Sequence, residues 1–378
     1  MYADLTPEKL DNEIVIIGGG LGGLTAAFLL ANAGRKVLVI EKKAYPFHRV
    51  CGEYVSNEVK GFLIREGLFP HHIPHADIHR FRLSATDGRQ MEIPLDLGGF
   101  GISRFALDHH FYRKCVKAGV DFLQKTQALD VHFDVRKQEF SVDLDSGERL
   151  QSLFVLGAFG KRSKIDRAMN RPFIGQRSPY IGVKYHVRTD HATDTVALHN
   201  FRGGYFGINQ IEDGMANLCY LGSSRQLREC GSIRKMEEKH LFTNPRIRSI
   251  YEHSEFLWDK PEVINEISFA IKKPVENGVL MLGDAAGMIS PLCGNGMAIA
   301  IHTGKLAAEA VLQNHSVEKI GRAYAQAWRT SFQGRIAIGR KVQALFGSPV
   351  LSRIMVDMAN LLPFLAKKIM KHTHGQQV

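Results

Sequence analysis

Residues 14–41 read IVIIGGGLGGLTAAFLLANAGRKVLVIE, and the rest of the chain is read outward from them. Ile14 to Ile17 form a short, continuous apolar run, as expected of a strand buried on both faces in a parallel sheet. The run stops at glycines, of which Gly18, Gly20 and Gly23 match G-x-G-x-x-G, with Gly22 inside the motif. Helix-compatible residues from Thr25 to Ala33 follow. Gly34 suits a helix C-terminus, Lys36 to Ile40 form a second strand, and Glu41 stands at its end. Each part has a task in binding a dinucleotide. Gly18 permits a tight turn, Gly20 lets backbone approach a pyrophosphate, and Gly23 lets helix pack on strand. The helix N-terminus offers free N–H groups to phosphate. Glu41 can accept from ribose hydroxyls and would repel a 2′-phosphate, which favours FAD or NAD over NADP at this site. A membrane span is the competing reading, because about eighteen apolar residues approach the length required. Clustered glycines at its start and charge at its end argue against it.

The bulk numbers bound the answer. A chain of 378 residues can bury a large core and is expected to form two lobes. Hydrophobic content of 44% and charged content of 23% are ordinary for a globular protein. The polar start MYADLTPEKLDNE lacks a signal-peptide core, so the cytoplasm is expected. Five dispersed cysteines without C-x-x-C spacing indicate neither a disulfide framework nor a zinc site. His71, His72, His75 and His79 lack an acid or cysteine to complete a shell, so no metal is expected. The net charge of +11 is spread along the chain without a nucleic-acid module. An anionic cofactor or an anionic membrane surface is the better partner.

The loop after the second strand carries Lys42, Arg49, Cys51 and Glu53, and in a doubly wound fold such loops line the ligand crevice. FRLSATDGRQMEI reads as a hairpin turning at Asp87-Gly88. A helix is expected from Asp108 to Ala118, and strands over 120–150. Residues 180–270 then read as strand after strand, which marks a second, antiparallel domain. Val279 to Gly287 returns to the first style, a buried strand ending in a Gly-Asp turn. Ser290-Pro291-Leu292-Cys293-Gly294-Asn295-Gly296-Met297 leads from there into a helix of small residues. The first domain is therefore discontinuous, over 1–75, 100–170 and 270–325, with a β-rich substrate domain over 76–99 and 171–269. Residues 326–378 form a C-terminal helical region. From Gly334 on, seven Lys/Arg face one acid, Asp357. Leu351, Met355, Met358, Leu362, Leu365 and Ile369 make an apolar stripe, expected to cover the core, with contact to a membrane or a lipophilic substrate channel as the alternative. Pro363 should kink or restart that helix.

Taken together these segments resemble the FAD-dependent oxidoreductases that include the geranylgeranyl reductases and the para-hydroxybenzoate hydroxylase type. The resemblance implies an α/β fold: a Rossmann-like FAD-binding domain with an inserted antiparallel β-sheet substrate domain. Gly283-Asp284-Ala285-Ala286 is similar to the second flavin motif, with Pro291, Gly294, Asn295, Gly296 and Met297 beside it as cofactor contacts. Arg104-Phe-Ala-Leu-Asp108 is similar to the family's R-x-x-L-D helix, which places Arg104 near the cofactor. A helix N-terminus after Gly296 would face the flavin edge where negative charge accumulates and would raise its reduction potential. Phe159 stands where hydroxylases have an Asp that handles NADPH, so NAD(P)H and an electron-donor protein are both candidate donors. Arg49-Val50-Cys51-Gly52-Glu53 resembles the reductase loop that brings a cysteine close to the flavin, and Tyr205 falls in a stretch that lines their substrate cavity.

The first functional expectation is thus hydride transfer from reduced FAD to a C=C bond of a lipophilic isoprenoid or polyketide-derived substrate. Cys51 or Glu53 would be the proton donor, and Tyr205 would orient the substrate. Hydroxylation by a monooxygenase is the alternative, and a non-catalytic flavin-binding redox protein is the reading from another class. Halogenases of this fold use a W-x-W-x-I-P context, and neither Trp258 nor Trp328 sits in one.

Overall fold

The computed structural model describes residues 12–176, 178–265, 267, 269–287, 296–343, 346–364, 366 and 377–378. Two large sheets organise it. The first has six strands, in the order Val275–Glu276, Val279–Met281, Phe154–Gly157, Ile14–Ile17, Val37–Glu41 and Asp121–Gln124. All its pairings are parallel except the short hairpin at 275–281. Every residue of Ile14–Ile17 and Val37–Glu41 is buried, as continuous apolar runs in a sheet covered on both faces require. Helix Leu21–Asn32 begins directly after Gly20, four residues earlier than its composition suggested. It crosses helix Gly296–Gln313 at very short range. A Cβ on Gly22 would lie 2.9 Å from Ala300 O, and one on Gly304 would lie 2.4 Å from Gly22 O.

The second sheet has nine strands. Eight follow the order Glu255–Phe256, Tyr180–Arg188, Ala216–Ser223, Gly204–Gln210, Thr195–Phe201, Ala76–Ser84, Gln90–Gly101 and Tyr54–Ser56, and Glu262–Asn265 pairs alongside Tyr180–Arg188. Its pairings are antiparallel except that of Thr195–Phe201 with Ala76–Ser84. The hairpin at Asp87-Gly88 forms as its turn residues predict, with Gly88 at φ 86°. A separate three-stranded antiparallel sheet, Ala128–Asp134, Glu139–Leu144 and Arg149–Ser152, accounts for the alternation after residue 120.

Helix Arg104–Lys117 starts one turn before the expected Asp108. Ser103 is its N-cap and accepts from Ala106 N at 3.0 Å, so Asp108 is free to use its carboxylate elsewhere.

Two helices close the chain. Val317–Gln343 turns Ile320, Tyr324, Trp328, Phe332 and Ile336, spaced by four, into the core beneath the parallel sheet. Pro349–Leu361 turns one member of its expected stripe, Met355, partly inward against the second sheet's apolar cluster and leaves the other described members outside. It buries Ser352, Val356 and Ala359 against the second sheet, while Leu351, Met358 and Leu362 stand exposed. The small inward residues permit close seating on the sheet. Polar contacts to the 84–90 hairpin then fix the roll: Arg353 Nε to Asp87 Oδ2 at 2.9 Å and Asn360 Nδ2 to Gln90 O at 3.2 Å. Leu365 and Ile369 lie outside the described residues. The helix ends at Leu361, two residues before Pro363. No helix among the described residues is long and apolar enough to cross a membrane.

Candidate active site

A cleft of about 400 Å³ opens where the first sheet's strand ends meet the second sheet. Its floor is backbone. Gly18 holds φ 104°, and a Cβ there would lie 2.4 Å from Ala158 O, so only glycine fits this turn. A Cβ on Gly23 would sit 2.3 Å from Gly18 O, which shows how tightly helix and turn are pressed together. At Gly20 the nearest neighbour to such an atom is Arg104 Nη2 at 3.8 Å, leaving the helix N-terminus open to a ligand. Gly283, Asp284, Gly296 and Met297 line the same cleft, so a second helix N-terminus is aimed into it. Lys272 braces this side, donating to Asp284 O and Lys161 O, both at 2.8 Å. Burial lowers its pKa to about 8 against the opposing pull of Asp166 and Asp284.

A chain of alternating charges runs beneath one wall. Glu41 Oε2 accepts from Gly19 N at 2.9 Å and from Arg49 Nη2 at 3.0 Å. Arg49 Nε reaches Asp108 Oδ2 at 3.2 Å, and Arg104 grips Asp108 with two contacts of 2.7 Å. Two carboxylates and two guanidiniums thus neutralise one another, and each buried acid has a cation in hydrogen-bond contact.

The chain continues through Glu53, which is fully buried and held at φ 54°, in the left-handed region that non-glycine residues seldom adopt. Its carbonyl accepts from Ile102 N at 3.1 Å and Asn209 Nδ2 at 3.3 Å. Its carboxylate accepts from Arg104 N at 2.8 Å, from His186 Nε2 at 2.6 Å and from Lys184 Nζ. Burial alone would push this carboxyl up, but Lys184 and then His186 outweigh it and hold the pKa at about 2. Lys184 is itself completely buried, donates to Arg49 O at 3.2 Å and lies over the Trp258 ring. His48 closes the group, 4.6 Å from Trp258 and 4.7 Å from Phe105 between ring centroids. Burial, reinforced by the neighbouring Lys184, lowers its pKa to about 4 and keeps it neutral.

Of the residues singled out from sequence, Gly20, Gly22, Lys42, Arg49, Cys51, Glu53, Arg104, Gly283, Asp284, Gly296 and Met297 line the cleft. Gly18, Gly23 and Glu41 shape it from behind, and Gly22 also serves the helix crossing. Pro291, Gly294 and Asn295 lie outside the described residues. Tyr205 is elsewhere: it is buried on the sheet face beneath the C-terminal helix, edge-on to Phe346 at 5.8 Å. Sequence reasoning passed over Lys184, His186, His48 and Trp258, and took Asp108 for a helix start. A signal existed in YIGVKYHV. Lys184 and His186 are two apart and share one face of a strand that is otherwise apolar, which demands a buried counter-ion.

The profile of the FAD binding domain family matches residues 11–313. Digeranylgeranylglycerophospholipid reductase 2 of Methanopyrus kandleri is 26% identical over 359 residues, covering 89% of this chain and 87% of that one. Menaquinone reductase of Mycobacterium tuberculosis is 24% identical over 320 residues, covering 79% and 76%. The flavin-dependent brominase Bmp2 superposes with a TM-score of 0.76 at 19% identity, covering 96% of this chain and 93% of that one. The cleft fits the cofactor that the family profile names. Backbone turns and two helix N-termini suit a pyrophosphate, and Glu41 lies buried behind the wall at the strand end, where ribose is expected.

Proposed function

Because the chain belongs to the FAD binding domain family, we propose that it is an FAD-dependent reductase that saturates a carbon–carbon double bond in an isoprenoid lipid. The two relatives are named for lipids that carry isoprenoid chains, which supports the substrate class. The observation that carries the reading is the Cys51 loop. Cys51 lines the cleft together with Gly296 and Met297 at the N-terminus of helix Gly296–Gln313 and with the lipophilic Val263 and Ile264.

When bound and reduced, FAD supplies a hydride equivalent to one alkene carbon. The other carbon needs a proton, and Glu53 is a poor source because Lys184 and His186 keep it ionised. Cys51 Sγ is the remaining donor of the pair, taking its replacement proton from solvent through the open side of the cleft. Glu53 then acts as a positioning residue. Its carboxylate fixes the Arg104 backbone N–H, and its own N–H contacts Cys51 Sγ at 3.5 Å. Arg104 is held in turn by Asp108 through two contacts of 2.7 Å. Tyr205 has no part in this proposal, since it does not line the cleft.

The test is product mass after anaerobic incubation of the reduced holoenzyme with a polyprenylated lipid. A gain of two mass units, lost in Cys51→Ala, is expected. Substrate-stimulated oxygen uptake with a product sixteen units heavier would overturn the reading in favour of hydroxylation.

A further inference from the structure

Lys272 ties together two turns of the cofactor cleft from behind. It is 5% exposed, and its Nζ donates to Lys161 O and Asp284 O, both at 2.8 Å, and lies 4.3 Å from the centre of the Phe173 ring. Lys161 follows strand Phe154–Gly157, and Asp284 follows the neighbouring parallel strand Val279–Met281. Both of these residues line the cleft, whereas Lys272 does not. One ammonium therefore spans the loops that leave two adjacent strands.

The acids near it are held elsewhere. Arg171, 2% exposed, donates to Asp166 Oδ1 at 2.7 Å and pairs with Glu276 as well. It also donates to Ala285 O at 3.0 Å, one residue beyond the Lys272 acceptor. Asp166 comes from helix Lys164–Ala168 and Glu276 from strand Val275–Glu276, so Arg171 gathers the carboxylates of both elements. The other charged groups facing Lys272 are Lys161 and Asp284, on the two turns themselves. Among the described residues no carboxylate lies within ion-pair distance of Lys272. A buried ammonium held by carbonyl dipoles and a ring is short of negative charge. Burial accordingly outweighs the attraction of Asp166 and Asp284, and the pKa settles at about 8.

We propose that Lys272 is a positioning residue for the cofactor whose counter-charge is the FAD pyrophosphate, so that flavin binding and protonation of Lys272 reinforce each other. A pyrophosphate in the cleft brings negative charge to the two turns that Lys272 holds, and it favours the ammonium over the amine. By linkage the ammonium favours the pyrophosphate to the same extent. Below about pH 8 the empty site already carries the proton, and FAD binds at full affinity. Above it FAD must bring a proton with it, and affinity falls. Arg171 braces the same turn but takes no part in the titration, since a guanidinium keeps its proton throughout. Nothing in this coupling depends on which substrate is reduced.

The full-length holoenzyme is dialysed to equilibrium against FAD from about pH 6.5 to about pH 9.5, and proton uptake on adding FAD to the flavin-depleted full-length protein is read with an indicator dye. The dissociation constant should be flat at the acid end and rise roughly tenfold or more by about pH 9.5, with up to about one proton taken up per FAD in the alkaline range. Lys272→Arg keeps the charge and should bind FAD with an affinity that no longer changes across the range, without proton uptake. Lys272→Met removes the charge and should weaken binding roughly tenfold at about pH 7, also without a slope. An affinity that stays constant with pH in the unsubstituted protein would overturn the proposal. So would a slope that survives in Lys272→Arg, since another group would then carry the proton. Loss of affinity in Lys272→Met by the same factor at every pH, with the slope intact, would also overturn it, because Lys272 would then be a brace and nothing more.

Discussion

The strand Tyr180–Arg188 meets a buried carboxylate on each of its faces, and the two behave oppositely. On one face Lys184 and His186 hold Glu53 at about 2. On the other, Glu237 Oε1 accepts from three phenols, those of Tyr185 at 3.0 Å, Tyr220 at 2.9 Å and Tyr251 at 3.1 Å. Its pKa is raised, because burial outweighs neutral donors. Depth is nearly equal: Glu53 is 0% and Glu237 1% exposed. Partner charge therefore decides the ionisation state, and it does so on the face toward the cleft. The Glu53 side ties the loop after the second parallel strand to strand Tyr180–Arg188 through ion pairs. The Glu237 side only pins a short helical segment, Glu237–Leu241, to the back of its own sheet.

Removing the cation should show the contrast most strongly. Lys184→Met leaves Glu53 buried without its main counter-ion and should cost about 3–5 kcal/mol, with loss of bound flavin. Denaturant unfolding and flavin absorbance of the purified variant check this, and a cost below about 1 kcal/mol would show that the pair is not closed. The pH dependence comes next and has opposite signs for the two acids. The Glu53 pKa is depressed, so its stabilisation is present above the unfolded value near 4.5 and is lost as pH falls toward about 2. The melting temperature should fall through that window, and Glu53→Gln combined with Lys184→Met should flatten the fall. The Glu237 pKa is raised, so its stabilisation is complete below the unfolded carboxyl value and is lost as pH rises through the folded one. Glu237→Gln keeps an acceptor without the charge, and at pH 8 it should match or exceed the parent by roughly 1 kcal/mol. Smallest is Tyr185→Phe, which deletes one of three donors and should cost about 1 kcal/mol with flavin content unchanged. Lost flavin in that variant would mean that the two faces are coupled.

Much of the cofactor half was legible because its requirements are local. Gly18 must be glycine for a turn that its own neighbours impose, and the runs at 14–17 and 37–41 show burial on both faces by containing nothing polar before Glu41. Cys51 and Arg49 could be placed at the crevice because loops after parallel strands converge there, and Arg104 because Arg104–Asp108 is similar to a known cofactor-side helix. Two features were not readable in the same way. Glu53 meets its partners 131 and 133 residues away, and the sign of its pKa shift depends on that meeting. The stripe on the last helix has a clear period but no intrinsic direction. Val317–Gln343 and Pro349–Leu361 both alternate apolar and polar residues, and only the first turns its large side chains inward.

The sequence by itself determined the strands, the glycine turns and the binding of a dinucleotide, since these follow from backbone sterics and burial within a few residues. Tertiary structure alone decided which buried acid is charged, where Tyr205 lies and which way the final helix faces. Those outcomes turn on what stands opposite each side chain, and elements far apart in the chain supply it.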